Sequence, residues 1–164
     1  MLREPQLKQL DDLLNSEPCA LGPCDETKVM KYLRSLLWDQ VKLVDSAVEL
    51  IDNMKANEMS IICYASLPVT NSKIKRRCFR VPGSTKGAEY TCLPNFCPCR
   101  SFIDLSKQSQ SPAQTIMCKH LLAIRVATLL GMVTTENLPD PQFVAKMCQE
   151  TTEGMTGFRN IKRG

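Results

Sequence analysis

Cys97-Pro98-Cys99 is followed, after eighteen residues, by Cys118-Lys119-His120, so three thiols and the chain's one histidine stand in two tight pairs. Thiolates and a neutral imidazole are the donors that enclose a zinc ion in a tetrahedron. Four protein donors leave no open position for water, so the spacing predicts one structural zinc ion rather than a catalytic one. Cys92 offers a competing C-x4-C-x-C set. It alternates with Tyr90 inside a strand pattern, so Cys97 is the preferred ligand. The plain alternative is a core histidine beside unrelated thiols, and four donors in two tight pairs outweigh it.

The spacing constrains the backbone. Residues i and i+2 on an extended or turning segment point the same way, so Cys97 and Cys99 can converge on one ion as the chain leaves a strand. Residues i and i+2 within a helix lie about 200° apart. Cys118 must therefore sit at or just before a helix start, with His120 in the first turn. A helix N-terminus there also favours the thiolate. Three thiolates around a divalent ion carry a net negative charge, and Arg100 and Lys119 are close in sequence to offset it.

The elements that hold these pairs are legible on either side. Leu7, Leu10 and Leu14 recur at helical spacing, and Pro18, Gly22 and Pro23 break the pattern. Asp25 can cap a second helix with a stripe of Val29, Met30, Leu33, Leu36 and Leu37. A third begins near Val41, with Val44, Ala47, Val48 and Ile51 on one face. These stripes read as core, with a partner-binding groove as the other reading. Ser60–Ser66, Arg77–Val81 and Glu89–Leu93 are short strands separated by turns, and together predict a three-stranded antiparallel meander. The spacer 100–117 starts with a segment apolar enough to pack, Ser101–Leu105, and turns polar. From Cys118 a helix that is apolar nearly all round runs to a stop at Gly131. A short last helix is expected over Pro139–Glu150, then a frayed basic tail. The fold class is α+β, divided as 1–58 (helical), 59–133 (finger, meander and following helix) and 134–164 (short helix and tail).

Bulk properties narrow the classes. At 164 residues and 43% hydrophobic composition, the chain can build a core. No apolar run approaches about 20 residues, and Met1–Gln6 is polar, unlike a signal peptide. The expectation is a protein that is neither secreted nor membrane-spanning, with nine cysteines kept reduced or used for metal. The net charge of +4 conceals an asymmetry. Residues 1–58 hold seven basic and eleven acidic residues, whereas 59–103 hold seven basic residues and one acid, Glu89. Lys73, Lys75, Arg76, Arg77, Arg80 and Lys86 form that basic cluster around the second strand. It reads as a solvated strand edge, with contact to a DNA backbone or an acidic partner as the functional readings. Gly83-Ser-Thr-Lys-Gly87 is not a P-loop, because no glycine stands five residues before a G-K-[ST].

At the ligand pairs the chain resembles the SWIM-type zinc-finger family, whose pattern is C-x-C, a variable spacer, then C-x-H-x-x-A. The match is Cys97-Pro98-Cys99 and then Cys118-Lys119-His120-Leu121-Leu122-Ala123. Within that family its size and layout are similar to the small single-SWIM subunits of Shu-type recombination-mediator complexes. The similarity is strong over Tyr90–Ala127, weaker over Val41–Arg80 and not evident at the two ends. The resemblance implies a non-enzymatic nuclear subunit that pairs with a RecA-like recombinase paralogue. The complex would promote filament assembly on single-stranded DNA in homologous recombination, with Ala123 serving packing or a partner surface. A SWIM protein that binds DNA directly through Lys73–Lys86, or an accessory module of a ubiquitin ligase, is the alternative.

Overall fold

The structure, a computed structural model, describes residues 5–6, 8–9, 25–67, 76–83, 87–108 and 116–157, the last six of these as backbone alone. The expected Leu7–Leu14 stripe therefore lies outside the described residues, although Pro5, Gln6, Lys8 and Gln9 are helical. So do Lys73, Lys75 and Lys86, the Pro68–Ser72 turn, Cys19 and Cys24, and the basic tail.

Helix α1 (Glu26–Leu36) starts where expected, because the Asp25 carboxylate accepts from the Thr27 N–H at 3.0 Å. A 3-10 turn (Trp38–Gln40) leads into α2 (Val41–Ala56), whose Val44, Ala47, Leu50, Ile51 and Met54 are buried. Strands β1 (Ile61–Ser66), β2 (Arg77–Pro82) and β3 (Glu89–Cys92) then form, joined antiparallel in sequence order. Helices α3 (Arg100–Gln108) and α4 (Lys119–Leu129) follow. Strand β4 (Val133–Leu138) and helix α5 (Asp140–Gly157) complete the order.

The sheet is four-stranded and mixed, in the order β3-β2-β1-β4, rather than a three-stranded meander. The fourth strand pairs parallel to β1, from Ile61↔Val133 to Ser66↔Leu138. That pairing makes β1 interior, and β2 is interior because β1 and β3 flank it, so its arginines do not line a sheet edge. Arg76 pairs with Asp140 and lies over the Phe143 ring, 5.6 Å from its centroid. Arg80 reaches Glu150 at 3.7 Å and Glu89 at 3.9 Å. Arg77 is exposed.

Both faces of the sheet are covered, which explains why strand residues on both sides are apolar. On one face Ile61, Cys63, Ala65, Phe79 and Val81 pack against α1, α2 and α4. On the other, Tyr64 and Cys78 pack against Phe143 of α5. Glu150 is buried beneath α5, where a lone carboxylate would be costly. Lys146 Nζ meets it at 2.9 Å, Arg80 at 3.7 Å, and the Tyr64 hydroxyl donates at 3.4 Å.

The α4 helix is the centre of the molecule. His120 to Ala127 are all buried, as an apolar-all-round pattern demands. Gly131, at φ +67°, ends it: Met132 N–H donates to Ala127 O at 2.8 Å and Gly131 N–H to Thr128 O at 3.1 Å. This is a Schellman turn, which needs a left-handed residue at that position. No helix among the described residues is long and apolar enough to cross a membrane.

Candidate metal centre

The first ligand pair is delivered by a tight hairpin. Leu93 and Phe96 exchange both backbone hydrogen bonds across Pro94-Asn95, at 2.9 and 3.2 Å. Cys97 therefore leaves β3 reversed against it, and Cys99 immediately precedes α3. The second pair is delivered as its spacing predicts: Cys118 is the extended N-cap of α4 (φ −109°, ψ 169°) and His120 lies in its first turn. The spacing did not foretell that α3 also begins at the cluster, immediately after Cys99. The Phe102 N–H donates to Cys99 Sγ at 3.4 Å. Two helix N-termini thus contribute partial positive charge to a site that gathers thiolates.

The four residues are buried, and one ligand atom from each lies within 4.8 Å of all the others. Cys97 Sγ is 3.7 Å from His120 Nδ1. Zinc bond lengths place neighbouring ligands of a tetrahedron roughly 3.3–3.8 Å apart. His120 Nε2 is buried with no hydrogen-bond partner among the described residues. The nitrogen that faces the thiols is Nδ1, and a cation held there would fix the ring proton on Nε2. The residues present fit a metal ion.

The thiols also show what a cation must supply. Hydrogen bonds from Cys118 and Cys97 hold Cys99 well below the usual thiol range. Cys118 is pushed far up by its hydrogen bonds to Cys97 and Cys99, then by burial. At Cys97 the hydrogen bond with Cys118 pulls down, but those with Cys92 and Cys99, together with burial, raise it on balance. Three like charges cannot coexist in so small a buried volume, and one thiolate takes the charge at the others' expense. A divalent ion that displaces the remaining protons reverses this.

Around the ligands the arrangement is dense. The Tyr90 ring stacks on His120, with centroids 4.3 Å apart and planes at 38°. Gly83 leaves room for it, since a Cβ there would meet Tyr90 Cε2 at 2.9 Å. Cys92, the competing ligand by sequence, is buried beside the cluster and outside it: its thiol donates to Cys97 Sγ at 3.5 Å. Ala123 is fully buried in the core, so it packs and forms no surface. Arg100 is turned to Asp104 at 2.8 Å. Sequence reasoning missed Arg125. It is buried on α4 and donates to Leu121 O at 3.3 Å and to Asn95 Oδ1 in the ligand hairpin at 3.4 Å. Its signal was present as one cation inside an otherwise apolar helix.

Paired Cys/His donors at a strand exit and a helix start, set on an α+β core, match the ligand pattern of the SWIM-type zinc finger. No protein-family model matches the chain, and no solved structure does. Relatives carry the same class in their names. The chain is 28% identical over 141 residues to zinc finger SWIM domain-containing protein 7 of Danio rerio, covering 84% of this chain and 76% of that protein. It is 30% identical over 96 residues to the Mus musculus protein of that name, covering 57% of this chain and 60% of the other.

Proposed function

We propose that this chain is a non-enzymatic adaptor, made rigid by one structural zinc ion on Cys97, Cys99, Cys118 and His120. In this reading it acts in the nucleus and pairs with a RecA-like recombinase paralogue. The pair promotes recombinase filament assembly on single-stranded DNA during homologous recombination. The observation that carries the reading is the closed, buried set of four donors. Such a set offers no position for substrate or water, so its chemistry is folding chemistry. The resemblance to single-SWIM mediator subunits supplies the partner class, and the names of the relatives agree with the finger.

When bound, the ion supplies charge for three thiolates and a cross-link between α3, α4 and the ligand hairpin. The chain's own residues do the rest. Tyr90 and Arg125 hold His120 and the hairpin in place, and the core presents whatever surface the partner uses.

The test is co-expression of the chain with a recombinase paralogue from the same genome, followed by purification and elemental analysis. One zinc per chain and a stable heteromeric complex are expected. Cys118→Ser should lose both zinc and pairing. A zinc-free parent would overturn the site, and pairing that survives Cys118→Ser would separate the finger from the interface.

A further inference from the structure

Cys92 is a fifth thiol beside a site that needs four donors. It is buried, and its Sγ lies 3.5 Å from Cys97 Sγ. The ordinary account of such a thiol is a small apolar residue that fills the core. Its place in the ligand hairpin goes further. Leu93 and Phe96 exchange both backbone hydrogen bonds across the two-residue loop Pro94-Asn95. The next rung joins Cys92 to Cys97 and is of the non-hydrogen-bonded kind, in which the Cα atoms of an antiparallel pair stand closest, about 4.5 Å apart. Side chains opposed on a rung share one face of the ribbon. A relaxed disulfide spans Cα separations of roughly 4.4–6.8 Å. The two sulfurs can therefore be bridged by turning their side chains, with the hairpin backbone in place.

Such a bridge removes a zinc donor. Cys97 cannot hold a metal ion while its sulfur is bonded to Cys92, and the remaining three donors do not close the tetrahedron. Metal and disulfide thus compete for one sulfur. Both sulfurs belong to residues that are 0% exposed in the folded chain, so an oxidant reaches them only before the core closes around the metal. Chain connectivity then selects the pair. Cys97 is five residues from Cys92 and twenty-one from Cys118. Loop-closure entropy alone favours Cys92–Cys97 over Cys97–Cys118 by roughly eightfold, and the hairpin register adds to it.

We propose that Cys92 and Cys97 form a reversible disulfide in the zinc-free chain, so that thiol redox state decides whether the finger can take up its metal. This rests on the zinc site proposed above. The oxidant is a low-molecular-weight disulfide. The Cys97 sulfur attacks it, forming a mixed disulfide and releasing one small thiol. The Cys92 sulfur then attacks the Cys97 sulfur and expels the second. Each cysteine proton leaves on a released thiol. Two cysteines are oxidised, and the small disulfide is reduced to two thiols. Excess small thiol reverses both steps and frees Cys97 for zinc.

The test uses full-length protein stripped of zinc under reducing conditions and equilibrated with glutathione buffers of rising disulfide-to-thiol ratio. Free thiols are alkylated, disulfides are mapped by peptide mass spectrometry, and zinc uptake is read in parallel with a metallochromic indicator. Reduced parent should take up one zinc per chain. As the ratio rises, uptake should fall in step with the Cys92–Cys97 bond, with two thiols lost for each zinc not bound. That bond should exceed Cys97–Cys118 by roughly eightfold or more. Dithiothreitol should restore uptake. Protein loaded with zinc beforehand should gain no such bond at the same ratios. Cys92→Ala, which keeps all four donors, should still take up zinc at ratios that block the parent. No Cys92–Cys97 bond in the oxidised parent, a predominant Cys97–Cys99 bond, or a Cys92→Ala protein blocked at the parent's ratio would each overturn the proposal and leave the zinc site standing. A reduced parent that takes up no zinc would overturn the site, and this inference with it.

Discussion

Two sulfurs 3.5 Å apart, those of Cys92 and Cys97, have different roles despite their contact. Cys97 belongs to the set of four mutually close donors and Cys92 does not. Cys92→Ala should therefore keep one zinc per chain, whereas Cys97→Ala should lose it; elemental analysis of both variants decides. The cost of Cys92→Ala is the loss of a small buried group and a weak hydrogen bond, about 1 kcal/mol in urea unfolding. A second residue-scale consequence concerns pH. Burial, followed by the nearby Glu150 and Cys63, pushes the Cys78 thiol up from 9.0 to about 11. The folded chain then holds this proton more tightly than the unfolded chain. Its contribution is complete below about pH 9 and is lost as the pH rises to about 11. Unfolding free energies measured across that window should fall by about 2–3 kcal/mol. In Cys78→Ala the fall should be smaller, because that thiol is gone, and Cys63, also raised by burial, should leave a remainder.

At the scale of elements, Gly131 is a good place to probe the positioning of the finger. Its φ of +67° ends α4, and nothing lies within 4 Å of where a Cβ would stand. Gly131→Ala is therefore a test of backbone strain without steric clash. About 1 kcal/mol of destabilisation is expected from a left-handed alanine, and Gly131→Asn should recover part of it. A thermal melt of the three proteins checks the ranking. The same scale shows what could be read from the sequence. The ligand pairs, the start of α4 at Cys118 and its stop at Gly131 were legible, because metal spacing and helix geometry leave few solutions. The Asp25 cap and the first three strands were legible from capping chemistry and turn residues. Strand β4 was not: in Val133-Thr-Thr-Glu-Asn-Leu138 the four middle residues are exposed, and its register comes from backbone pairing with β1. Helix α3 was hidden because its apolar residues, Phe102, Ile103 and Leu105, fall within about one turn, too short a run to show a helical period. The edge role expected of Arg76, Arg77 and Arg80 failed for another reason: β2 lies between β1 and β3, and is central even in a three-stranded meander.

For the whole molecule, the metal site and the main core are continuous. Cys97, Cys99 and Cys118 belong to the same buried cluster as Val44, Ile51 and Leu122. Structural zinc contributes roughly 10–16 kcal/mol in small peptides, comparable to the whole stability of a domain, roughly 5–15 kcal/mol. Stripping the ion with a strong chelator at neutral pH should abolish the cooperative melt followed by near-ultraviolet circular dichroism. Adding zinc back should restore it. An unchanged melt in the zinc-free protein would show that the cluster holds without metal.

The parallel pairing of β4 with β1 has a consequence for biosynthesis. All four ligands leave the ribosome before the strand that completes the sheet has emerged. During that interval β1 has an unpaired side, and its Ile-Ile-Cys-Tyr-Ala run is the kind of segment that pairs with other chains. A transcript truncated just after Met132 would make this interval permanent. Its product would carry every zinc donor yet should accumulate as insoluble material. In that case solubility would depend on Val133–Leu138, a strand that carries no zinc donor.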